Sequence, residues 1–119
     1  MTDAQLVVAE TEVFAANSPN PAAWTDLDIS AVVGSNVALV MFKVMLTTSG
    51  GNKRFSMRKN GDTEISHLGN IGVSGIFNPG SGSFNYVICP TDASGIVEWY
   101  YENAADAVTI DVVAFIPGA

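Results

Sequence analysis

Apolar positions along this chain recur with a period of two or in short runs, and helical periodicity is nearly absent. Eight segments read as strands. Gln5–Ala15 carries Leu6, Val7, Val8, Val13 and Phe14. Trp24–Ile29 alternates Trp24, Asp26 and Asp28 with Thr25, Leu27 and Ile29. Val37–Thr47 is apolar on both faces, the pattern of a central strand covered from two sides. Lys53–Lys59 is short and charged, and Ile71–Phe77 is diluted by Gly72 and Gly75. Ser83–Cys89 alternates Phe84, Tyr86 and Ile88 with polar or smaller residues. Ile96–Glu102 sends Val97, Trp99 and Tyr101 one way, and Ala107–Ile116 sends Val108, Ile110, Val112, Ala114 and Ile116 inward. Eight strands in 119 residues predict an all-β fold, a two-sheet antiparallel β-sandwich, with the jelly roll as one way of connecting it.

The breaks between strands have physical causes. Ser49-Gly50-Gly51-Asn52 tolerates positive φ, and Asn60-Gly61-Asp62 fits a type I′ turn. Asn78-Pro79-Gly80 and Asp92-Ala93-Ser94-Gly95 read as further turns. Two hairpins are therefore expected, Lys53–Lys59 with the stretch after Asp62 and Ser83–Cys89 with Ile96–Glu102. Ser18-Pro19-Asn20-Pro21 is a stiff linker, which divides residues 1–20, a strand or arm, from a sandwich domain over 21–119. The N-terminal segment is either the first strand of the sandwich or an arm that reaches a neighbouring subunit.

Composition sharpens this picture. Counting glycine, about 55% of the chain is apolar against a usual ~45–50%, and charged residues are 14% against a usual ~25%. A free-standing domain of this size does not require that much apolar surface, so some of it is expected to be covered by other subunits. The net charge of −7 disfavours nucleic acid and anionic membranes as partners. A single cysteine, Cys89, excludes an internal disulfide and a cysteine-based zinc site. The N-terminus carries acids where a secretory signal would carry bases, and the greasiest segment, Val37 to Leu46, is half the length of a membrane-spanning helix. Synthesis in the cytoplasm is expected.

Candidate chemistry is sparse. His67 is the only histidine, and no Gly-x-Ser-x-Gly elbow accompanies it. Cys89 reads as a buried structural thiol. Asp26 with Asp28, and Asn60 with Asp62 and Glu64, alternate as calcium ligands or as solvated strand faces. Gly69, Gly72 and Gly75 lack the Lys-Ser/Thr of a phosphate loop. No catalytic residue, cofactor or metal is assigned. Four of the five bases, Lys53, Arg54, Arg58 and Lys59, crowd into seven positions. They read either as charges that guard an edge strand or as a contact strip for an acidic partner. A second copy of the chain would offer Glu98 and Glu102 as receivers. Leu6, Val8 and Phe14 are the candidate contacts of the N-terminal arm. Trp24, Trp99, Tyr100 and Tyr101 raise sugar stacking as an alternative, with alternation putting Trp99 and Tyr101 in the core.

The run Trp24-Thr25-Asp26-Leu27-Asp28-Ile29-Ser30, then Val33-Gly34 and Ala38 to Val44, precedes Arg58-Lys59-Asn60-Gly61-Asp62 and Thr91 to Trp99. The chain closes with Val108-Thr109-Ile110-Asp111 and Val113-Ala114-Phe115-Ile116. Together, over residues 22–116, these resemble β-sandwich domains of tailed-phage virion proteins, including head decoration (cement) proteins and tail-fibre tips. The resemblance implies a non-enzymatic virion part, often a homotrimer, whose partners are copies of itself and the major capsid protein or another virion protein. It transfers no catalytic residue. A receptor-binding tip domain and a small carbohydrate-binding module are the alternatives.

Overall fold

A computed structural model describes residues 5–16, 23–46, 53–63, 74–78, 83–101 and 107–118. Eight strands form: β1 (Val7–Ala16), β2 (Thr25–Asp28), β3 (Ala38–Leu46), β4 (Lys53–Lys59), β5 (Ser74–Asn78), β6 (Ser83–Pro90), β7 (Ile96–Tyr101) and β8 (Val108–Pro117). A single helical turn, α1 (Ser30–Val33), lies between β2 and β3. All eight expected strands are present, and every pairing is antiparallel. One sheet runs β1-β8-β3-β6 and the other β2-β7-β4-β5. Successive strands alternate between sheets except at β4–β5, which is the strand order of an eight-strand jelly roll.

This order corrects the second hairpin expectation. β6 pairs with β3, and β7 pairs with β2 and β4, so β6 and β7 belong to different sheets. The Asp92–Gly95 turn is real: Gly95 N donates to Asp92 O (3.1 Å) and Asp92 Oδ1 accepts from Ser94 N (2.8 Å). It carries the chain across the sandwich rather than back along one sheet. At Asn60-Gly61, Asp62 N donates to Lys59 O (3.0 Å), but positive φ occurs at Gly61 alone (+88°). That is the type II pattern, not type I′, which needs positive φ at both central residues. β4 pairs with β5, the next described strand after Asp62, and on its other side with β7.

The core lies between the sheets. β3 contributes Val40, Phe42, Val44 and Leu46, and β8 contributes Val108, Ile110, Val112 and Phe115. Across from them stand Leu27, Ile29, Phe55, Met57, Val97, Trp99 and Tyr101. Trp99 is fully buried, with its ring 5.0 Å from Phe14 and 5.9 Å from Phe55. The segment Val7–Ala16 is the first strand of the sandwich, in register with β8 of the same chain.

A bulge re-aims the last strand. Met41 pairs with Ala114 but Phe42 pairs with Val112, so Val113 is an extra residue and the phase of β8 reverses after it. Ile116, expected inside, therefore turns to the outer face and Phe115 enters the core, while Ala114, also turned outward by register, stays buried because it is small. β1 answers with two bulges of its own, between Val8 and Thr11 and between Glu12 and Phe14, and Glu10 takes a positive φ of 45°.

Candidate functional site: an apolar outer sheet face

Alternation that buries Val40, Phe42 and Val44 must turn Leu39, Met41, Lys43 and Met45 to the other face of the same sheet. β6 does the same in a less expected sense. Its small residues Val87 and Cys89 face the core, and its large ones, Phe84, Tyr86 and Ile88, face out. Strand register assembles these side chains into rows across the outer face. Val8, Ala114, Met41 and Ile88 form one row, and Ile116, Leu39 and Pro90 another. Glu12, Asp111, Lys43 and Tyr86 form the charged row beside them.

Leu6, Val8, Leu39, Met41, Phe84, Tyr86 and Ile88 are 36–69% exposed. At ~100–250 Å² per whole side chain, they present on the order of 500–700 Å² of apolar surface to water. The largest such patch on a typical monomer is ~300–600 Å². A shallow groove of about 170 Å³ opens where Ala114 is short between Met41 and Val8, and Leu6, Leu39, Ile88 and Ile116 complete its walls. A ~150 Å³ apolar cavity holds a benzene ring, so the groove has room for one inserted side chain.

The charged row also holds an unsatisfied oxygen. Asp111 Oδ1 is buried and accepts no hydrogen bond among the described residues. Lys43, its cross-strand neighbour, extends the other way, with Nζ 4.8 Å from the centre of the Phe84 ring. A buried carboxylate oxygen without a donor is costly.

The opposite outer face, on the β2-β7-β4-β5 sheet, is polar. Arg58 Nε donates to Glu98 Oε1 (3.0 Å), with both side chains mostly buried. The Arg58 guanidinium sits 3.9 Å from the centre of the Trp24 ring, and Trp24 meets Tyr100 at 5.8 Å. Glu98 Oε1 also accepts from Gly61 N (3.3 Å). Arg58 and Glu98, expected to meet across two copies, thus meet within one chain, because β4 and β7 are neighbours in register. Lys59 is exposed at the end of β4. The side chains of Lys53 and Arg54, and all of Glu102, lie outside the described residues.

The other sequence candidates separate in the same way. Leu6 and Val8 stand on the apolar outer face. Phe14, expected beside them as a contact, is turned inward by the bulge before it and packs on Trp99. Cys89 is buried, its Sγ donating to Pro90 O (3.4 Å). Burial first, then the charge of Asp62, pushes its thiol up to about 12, so it is no nucleophile at neutral pH. Asp28 Oδ1 accepts from Ser30 N (2.9 Å), and Ser30's hydroxyl and N–H together hold this carboxyl below the usual range. Asn60 donates to Asp92 Oδ2 (2.9 Å). His67, Glu64, Gly69, Gly72, the 18–21 linker and the 49–52 turn lie outside the described residues.

Sequence reasoning did not locate the outer face. The signal was present in Val37–Thr47, apolar on both sides, together with the apolar excess of the whole chain. The sequence matches no protein-family model and no curated protein.

Proposed function

We propose that this chain is a non-enzymatic virion structural protein, a capsid decoration (cement) protein of a tailed phage, that works by burying apolar area against other subunits. The observation that carries the reading is the contiguous apolar outer face of the β1-β8-β3-β6 sheet. A central strand that is apolar on both sides asks for two covers, and the described residues supply one. Burial of that face is worth about 25 cal/mol per Å² before association costs, and many copies on one lattice add avidity. The jelly-roll order and the resemblance of residues 22–116 to phage virion sandwiches supply the kind of assembly. On the polar face, Arg58 occupies one side of the Trp24 ring, which weighs against sugar stacking there.

The test is mass spectrometry of virions purified from the phage that encodes the chain, with binding to heads stripped of it. Wild-type protein should rebind heads in regular stoichiometry, and Met41→Lys should not. Recovery only on tails, or a positive glycan array with no head binding, would overturn the cement role.

A further inference from the structure

We propose that the outer face of the β1-β8-β3-β6 sheet binds the same face of a second copy about a two-fold axis along the seam between β3 and β8. This rests on reading that face as an assembly surface, and adds the occupant. Three observations select a second copy. The first is area. Roughly 500–700 Å² of exposed apolar surface, with the charged row and Ile116 around it, approaches the ~800 Å² per partner of a stable interface.

The second is self-complementarity. A two-fold along the β3–β8 seam exchanges β3 with β8 and β6 with β1 while keeping each row opposite itself. Met41 of one copy then lies over Ala114 of the other, where the groove has room for it. Ile88 lies over Val8, and Leu39 over Ile116. Two sheets packed this way keep their strands within about 30° of each other, the ordinary sandwich angle.

The third is charge. The same operation places Lys43 of each copy over Asp111 of the other. Both groups are half-buried on this face, and Lys43 Nζ lies over the Phe84 ring rather than toward Asp111 of its own strand pair. The interface thus sets opposite charges against each other twice, as an isologous contact requires.

Light scattering across a concentration series tests this. Wild type should show twice the 12.5 kDa of one chain at micromolar concentration. Met41→Glu, at an exposed site, should raise the dimer dissociation constant by at least ~100-fold, since each contact occurs twice, with unchanged circular dichroism. Lys43→Asp and Asp111→Lys should each weaken the dimer, and the two together should restore it. A Val8→Cys/Ile88→Cys variant should be joined into a covalent two-chain product by a short bis-maleimide, because facing sheets stand ~10 Å apart, within reach of such a linker, whereas three strand spacings of ~4.8 Å separate the two residues within one chain. This readout stands even if Met41→Glu unfolds. A monomer at 100 μM, a trimer, or an oligomer indifferent to these changes would overturn the proposal. A monomer that still binds heads through this face would remove the dimer and leave the cement role standing. A dimer that binds no heads would do the reverse.

Discussion

Thr91 is fully buried at the end of β6, and its hydroxyl joins two segments that are far apart in sequence. Oγ1 accepts from Ala38 N (2.9 Å) and donates to Asn36 O (2.9 Å), while Thr91 N donates to Ala38 O (2.9 Å). Thr91→Val keeps the shape and removes both hydroxyl bonds. The Ala38 N–H is then stranded in a buried position, at about 1–3 kcal/mol. Asn36 is exposed, so water reaches its carbonyl and that loss is about 0.5–1 kcal/mol. The expected total is about 1.5–4 kcal/mol, from a folding free energy of roughly 5–15 kcal/mol. At this length it corresponds to a fall in Tm of about 6–16 °C. Thr91→Ser keeps the hydroxyl and loses one buried methyl, at about 1 kcal/mol. Urea unfolding of both variants against wild type measures the difference. A Val variant as stable as the Ser variant, or more so, would refute the argument that the hydroxyl clamps the start of β3.

Three further outcomes follow from the same geometry. Gly95→Ala should cost about 2–4 kcal/mol by urea unfolding, because φ is +78° and the new Cβ would lie 2.5 Å from Gly34 O and 3.0 Å from Ser30 Cβ; Gly61→Ala, at φ +88° with open space around it, should cost only about 1 kcal/mol. Cys89 should resist a thiol reagent at pH 8 in the native protein and react at once in urea, since burial raises its pKa to about 12. At Asp92, desolvation raises the carboxyl, but the bonds from Asn60, Ile96 and Ser94 and the Lys59 charge outweigh it and lower the pKa below 3.8. Its stabilising contribution is therefore complete above that value and disappears as pH falls through the folded pKa, so the urea midpoint should drop below pH 4, and less steeply in Asp92→Asn.

How much of this was legible in the sequence differs by residue. Leu27 with Ile29, and Val97 with Trp99 and Tyr101, alternate against polar neighbours, and period two placed them inside. The reversal after Val113 was not legible, because a bulge is a property of two strands together and the apolar run Val112 to Ile116 fits either phase. The partner of β6 was hidden for a similar reason: a turn such as Asp92–Gly95 serves a hairpin or a crossing between sheets equally well. Phe84, Tyr86 and Ile88 defeated the rule that the larger side chains mark the buried face. Which face of such a strand is wet depends on what lies beyond the chain. The basic strip divided on register alone, since only the neighbourhood of β4 and β7 reveals that Arg58 has Glu98 beside it.

The pairing of β1 with β8 also sets a clock on biogenesis. β1 is the first strand to leave the ribosome and β8 the last of the eight. At ~5–20 residues per second, β1 waits roughly 5–20 s before its partner exists. Without β8 the sheet has no link between β1 and β3, so this sheet cannot close until β8 is made and, with its long loop closures, folds slowly. During that wait Val7, Val8, Val13 and Phe14 are bare, and Glu10 and Glu12 between them act as electrostatic guards against premature pairing with other nascent chains.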